Sequence, residues 1–134
     1  MATSDEVWAR GCPPRSSTNR VHVCTTRIGR DAFAKLLREC EMEATFSPLP
    51  SDGLEPQKAF EQELHDLEKA SLLVADVDVA PCSFLFCVGY AVARGKSIMA
   101  LGKAVSADFR IAQTAFVVDD LAMLEKSLRA YKAW

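Results

Sequence analysis

Three places in the chain bring together side chains able to do chemistry. The first is Thr25-Thr26-Arg27, which follows a β-branched run; two hydroxyls and a guanidinium there could cradle a small anion, or simply form a polar strand-to-helix loop. The second is the acidic pair Asp76 and Asp78, closing the apolar run Ser71-Leu72-Leu73-Val74-Ala75, with Ser83 a few residues on. Such a pair can supply an active-site acid, or it can cap a helix and face solvent. The third is Cys82 with Cys87. Cys87 falls in the first turns of a helix, where the dipole favours a thiolate, but the surrounding Phe-Leu-Phe-Cys-Val run favours a buried, inert thiol. A glycine-rich phosphate loop is absent after the first strand, where the sequence reads Thr-Thr-Arg-Ile-Gly. His22 lies inside a strand and His65 on the polar side of a helix. Neither has a second ligand at metal spacing, so no metal and no cofactor is expected.

These residues need elements to hold them. Arg20-Val21-His22-Val23-Cys24-Thr25 reads as a first strand. Asp31 then caps or opens a helix whose Phe33, Leu36, Leu37 and Cys40 share one face. Ala44-Thr45-Phe46 is a weak second strand, ended by the turn-rich stretch from Ser47 to Gly53. After Pro56 comes a helix with an apolar stripe of Phe60, Leu64 and Leu67, leaving Glu61, Glu63, Asp66, Glu68 and Lys69 on the polar side. Ser71 to Asp76 suits a strand buried on both faces, hence the centre of a parallel sheet. A helix from about Ser83 to Arg94 stops at Gly95, Ser97 to Leu101 and Ala115 to Val118 are further strands, and Leu121, Leu124, Leu128 and Tyr131 align on a last helix. The alternation predicts an α/β three-layer sandwich with a mainly parallel five-stranded sheet, flavodoxin- or Rossmann-like, over residues 20–134, preceded by an irregular arm over residues 1–19. Ligands of such sheets sit beyond the carboxyl ends of the strands, where the strand order reverses. That directs attention to Thr25, Thr26, Arg27 and the stretch from Asp76 to Ser83.

Composition narrows the function classes. The 134 residues are 49% hydrophobic and 25% charged, and 16 Lys and Arg against 18 Asp and Glu leave a net charge of -2, which disfavours a nucleic-acid footprint or a polybasic membrane patch. The apolar runs are far shorter than the roughly 20 residues of a membrane span. Five cysteines without a CxxC pair point to a reducing compartment and leave little for a thiol redox or signalling module. With no apolar leader at the start, the expected location is cytoplasmic or mitochondrial, not secreted.

The stretch from Ala70 to Asp78, continued by Cys87-Val88-Gly89-Tyr90-Ala91-Val92-Ala93-Arg94-Gly95-Lys96-Ser97-Ile98, resembles the nucleoside 2-deoxyribosyltransferase family. Gly89-Tyr90-Ala91 followed by Gly95-Lys96 carries the match. The resemblance implies exchange or hydrolysis of the base of a deoxynucleoside, through a covalent glycosyl intermediate on a helix-borne Glu, with further acids serving sugar and base. It places Cys87 where that Glu stands and Pro81 or Cys82 where an Asp stands. Ser83 and Phe84 take the Gly and Ser/Thr positions, and Thr25-Thr26 takes a Gly-Pro. Acids are present in kind as Glu63 and Asp78. The expectation is therefore a catalytically degenerate relative acting as a structural or ligand-binding subunit. The alternative is an active deoxyribosyltransferase or N-glycosidase using Asp76, Asp78 and Glu63. The expected partners are other protein chains, a hetero-assembly ahead of a homodimer, with a nucleoside or nucleotide as ligand. The helix from Ser83 to Arg94 supports this independently, since it is apolar nearly all round and one side needs a further protein surface.

Overall fold

The strands form where β-branched and apolar residues run together: β1 (Arg20–Cys24), β2 (Glu43–Phe46), β3 (Leu72–Asp76), β4 (Ser97–Leu101) and β5 (Phe116–Val118). Between them run α1 (Arg27–Glu39), α2 (Pro56–Lys69) and α3 (Pro81–Ala93), with a short 3-10 turn at Pro50–Asp52, and α4 (Leu121–Ala133) follows β5. The structure, a computed structural model, describes residues 19–76, 81–102 and 115–133, the side chains of 81–84, 132 and 133 excepted. The sheet order is β2-β1-β3-β4-β5 and every pairing is parallel. The expected five-stranded α/β sandwich is present, in the flavodoxin-like order whose switch point lies between β1 and β3. There Cys24 pairs with Ala75, so Thr25 and Asp76 emerge side by side.

Strand periodicity divides the interior into two layers. Val21 and Val23 of β1, with Leu72 and Val74 of β3, face Phe33, Leu36 and Leu37 of α1 and Leu124, Leu128 and Tyr131 of α4. Cys24, Leu73 and Ala75 face the other way, onto Leu67 of α2 and Cys87, Val88 and Ala91 of α3. Among the described residues no helix is long and apolar enough to cross a membrane.

Several boundaries differ from the sequence reading, each for a local reason. Helix α1 begins at Arg27 rather than Asp31 because Thr26, in extended backbone, caps it; the Thr26 hydroxyl accepts from Gly29 N at 3.2 Å. Helix α3 begins at Pro81, a residue suited to a first helical position. Its end follows expectation: Gly95 takes φ 68°, with Gly95 N–H donating to Val92 O and Lys96 N–H to Ala91 O. The larger correction concerns α2. Its buried face is Glu63, Leu67 and the following Ala70, while Phe60 is half exposed. A carboxylate turns inward because polar partners wait for it beneath the sheet.

Gly29 faces the loop it caps. A Cβ there would lie 2.2 Å from Thr25 Oγ1, which donates to Asp76 Oδ2 at 3.2 Å. Gly29→Ala should therefore lower stability by about 1 kcal/mol net, because displacing that buried hydroxyl costs about 1–3 kcal/mol against the ~1 kcal/mol that alanine ordinarily gains over glycine in a helix. In a Thr25→Ala background the same change should stabilise. Urea unfolding of the four proteins measures this, and a stabilising Gly29→Ala in the Thr25 background would show the hydroxyl to be dispensable.

Candidate functional site

At the switch point the structure places Thr25, Thr26, Arg27 and Asp76 together. Thr25 is buried and its hydroxyl is committed to Asp76, whose side chain bridges the ends of β1 and β3. The Thr26 hydroxyl is committed to the α1 cap, and Arg27 is exposed at the start of that helix. The two hydroxyls expected to cradle an anion thus hold the loop itself. Asp78 lies outside the described residues, as does the side chain of Ser83. Next to this point, Arg30 of α1 ties down the segment after β2. It donates to both Asp52 oxygens at 2.9 and 2.8 Å and to Ser47 O at 2.8 Å, and its guanidinium lies 5.9 Å from the Phe46 ring centre. The Arg30 hydrogen bonds and the Leu49 backbone N–H hold the Asp52 carboxyl down to about 2.

Ser47, fixed in this way, reaches into a second and more secluded group. Between the sheet and helices α2 and α3, His22 of β1 has no exposed surface. Its Nδ1 lies 2.8 Å from Thr45 Oγ1 on β2, and its Nε2 is hydrogen-bonded to Glu63 Oε2 of α2. Ser47 Oγ donates to Glu63 Oε1 at 2.7 Å. Cys24, two residues along β1 and on the same face, and Cys87 of α3 complete the group, both fully buried. Ligand atoms of His22, Cys24, Glu63 and Cys87 all lie within 4.8 Å of one another.

Electrostatics bind the group into a unit. Burial alone would push the His22 imidazole down, but its hydrogen bonds with Cys87 and Glu63 outweigh this and raise it to about 9. Burial pushes the Glu63 carboxyl up, and the bonds to His22 and Ser47 more than reverse it, leaving it below the usual range. The contact with Cys24, reinforced by burial, pushes the Cys87 thiol strongly up. The group is thus a buried imidazolium–carboxylate pair beside the protonated Cys87 thiol.

The structure therefore brings Glu63 and Cys87 together, while the hydroxyls of Thr25 and Thr26 are engaged with Asp76 and Gly29 at the strand end. The sequence reading finds no second ligand for His22 at metal spacing, but the fold sets three potential ligands around it, whereas His65 is exposed. His22, Cys24, Thr45 and Ser47 did not stand out as site residues in the sequence. The signal available was the two-residue spacing of His22 and Cys24, which in a strand puts both on one face.

No family model matches the chain, and no curated protein matches it. Among solved structures the fold is similar to that of a CMP N-glycosidase from Clostridium botulinum, with a TM-score of 0.56 over 84% of this chain and 98% of the other, at 16% sequence identity. At that identity the likeness is one of architecture.

Proposed function

We propose that the chain keeps the scaffold of a nucleoside 2-deoxyribosyltransferase-like protein without its covalent glycosyl transfer, and serves as a structural or ligand-binding subunit of a larger assembly. The observation that carries this reading is the burial of Cys87. Retaining glycosyl transfer needs a carboxylate oxygen that reaches the anomeric carbon. The residue in the nucleophile position is instead a thiol with no exposed surface, packed beneath the sheet. The carboxylate beside it, Glu63, has one oxygen bonded to His22 and the other to Ser47.

The subunit role is supported by the outer face of α3. Leu85, Phe86 and Val92 are exposed there, and Phe60 of α2 extends the patch, its ring centre 5.8 Å from that of Phe86. Clustered aromatic and aliphatic surface of this kind marks a protein contact more often than bare solvent.

A second reading, an active N-glycosidase using Asp76, Asp78 and Glu63, is favoured by the shared architecture with a CMP N-glycosidase and by the seat of Asp76 at the switch point. One experiment separates the two. The purified chain is incubated with deoxyinosine plus adenine, with deoxynucleoside monophosphates and with CMP, bases are resolved by chromatography, and mass is read by light scattering. The expected result is no released or exchanged base, and a species larger than the 14.7 kDa monomer or a copurifying protein. Base release abolished by Asp78→Asn would establish the active reading, and a monodisperse monomer without a partner would remove the subunit role.

A further inference from the structure

The geometry points to a tetrahedral site for a zinc-type cation inside the domain, formed by His22 Nε2, Cys24 Sγ, Glu63 Oε2 and Cys87 Sγ. The four donors come from three elements that meet only in the fold: β1 supplies two, and α2 and α3 one each. They are a nitrogen, two sulfurs and an oxygen, a set that suits a borderline cation such as zinc better than a hard one such as magnesium. Zinc bonds of about 2.0–2.3 Å put neighbouring ligand atoms of a tetrahedron roughly 3.3–3.8 Å apart. The donor atoms lie within 4.8 Å of one another, and a bound ion would draw the wider pairs together and part His22 from Glu63.

The surrounding hydrogen bonds are those of a ligand-orienting shell. Thr45 Oγ1 sits on Nδ1 of His22, so the ring can donate there and present the Nε2 lone pair inward. Ser47 Oγ occupies one oxygen of Glu63 and leaves the other facing Nε2. Ser47 is itself placed by the Arg30 bond to its carbonyl. A buried imidazole–carboxylate pair needs its polar atoms bonded in any case; what the pair alone does not call for is two thiols converging on the same point.

Loading exchanges protons for the metal. One divalent ion enters, and the two thiol protons and the proton shared by His22 and Glu63 leave, with no change of oxidation state. Two thiolates and one carboxylate then surround the cation, so the site carries about one net negative charge. With every donor secluded, the ion enters as the chain folds, and its binding energy adds to folding.

The test is expression of the full chain in medium supplemented with cobalt, which replaces zinc and reports its own geometry. The expected result is one bound cobalt per chain, with thiolate-to-cobalt charge-transfer absorption and the intense visible bands of a tetrahedral ion. Cys24→Ala, a small change in a buried place, should abolish the charge-transfer bands or reduce them to those of a single thiolate. Thr45→Val, which keeps all four ligands, should weaken zinc retention against a chelator by about 10–100-fold. Cys40→Ala, in the opposite core layer, should alter neither. Absence of tetrahedral bands in the folded wild-type chain, or bands unchanged in Cys24→Ala, would overturn the site.

Discussion

Glu63→Ala is expected to remove about 3–5 kcal/mol of stability from the metal-free protein, because it leaves the buried His22 imidazolium without its counter-ion. A domain of this size has roughly 5–15 kcal/mol to lose, so the variant should unfold at a much lower urea concentration. The Ser47 hydroxyl loses its acceptor at the same time. Replacing both members, His22→Leu with Glu63→Leu, should recover a good part of the loss, since an apolar pair of similar volume avoids the cost of desolvating two charges. Urea unfolding followed by circular dichroism measures both. A loss below about 1 kcal/mol in Glu63→Ala would mean that the pair does not hold the α2 side of the domain.

Cys87→Glu should be at least as damaging, and it should not produce glycosyl transfer. A carboxylate at position 87, where the resemblance places the nucleophile, sits where no solvent reaches, next to Glu63. Two carboxylates then compete for one imidazole, and one must bind a proton or force the helix off the sheet. The longer side chain also overfills a packed layer, adding about 1–3 kcal/mol to a charge penalty of similar or greater size. Thermal unfolding should show a large drop in Tm, and base release from deoxynucleosides should stay at background. A folded Cys87→Glu protein that releases base would place residue 87 against the substrate and reverse the proposed function.

The strands and their order of appearance are legible because each is a short apolar or β-branched run, most of them bounded by turn residues or by a segment of helical period. Ser71 to Asp76 in particular declared its central place by having no polar face. The start of α1 was misplaced because Asp31 and Thr26 both have capping chemistry, and only the extended backbone at Thr26 decides between them. Periodicity alone puts Glu63 on the polar side of α2, because it can use only the type of the residue. Its partners lie 41 residues away at His22 and 16 residues away at Ser47, separations at which spacing carries no signal. The same reason hid the four-donor cluster: its members stand at positions 22, 24, 63 and 87, a pattern that resembles no ligand motif along the chain. The outer apolar face of α3 was readable in advance, since a helix with so few polar residues cannot satisfy itself against one sheet.

The all-parallel sheet sets an order in time as well as in space. Parallel neighbours cannot zip together from a hairpin, so β1, β2, β3 and β4 pair only after the helix that separates each from the next has been made and crossed over. The inner polar group waits longest: at about 5–20 residues per second on a ribosome, the 65 residues from His22 to Cys87 take about 3–13 s to synthesise. Through that interval β1, α1 and β2 can associate, but the imidazole they enclose has neither the α3 thiol nor a finished layer above it. The nascent chain at this stage presents an apolar underside, and transiently exposed apolar surface of that kind makes a partly folded chain prone to aggregate. A defect in the cluster would thus act first on the yield of protein that leaves the ribosome folded, before it acts on the finished molecule.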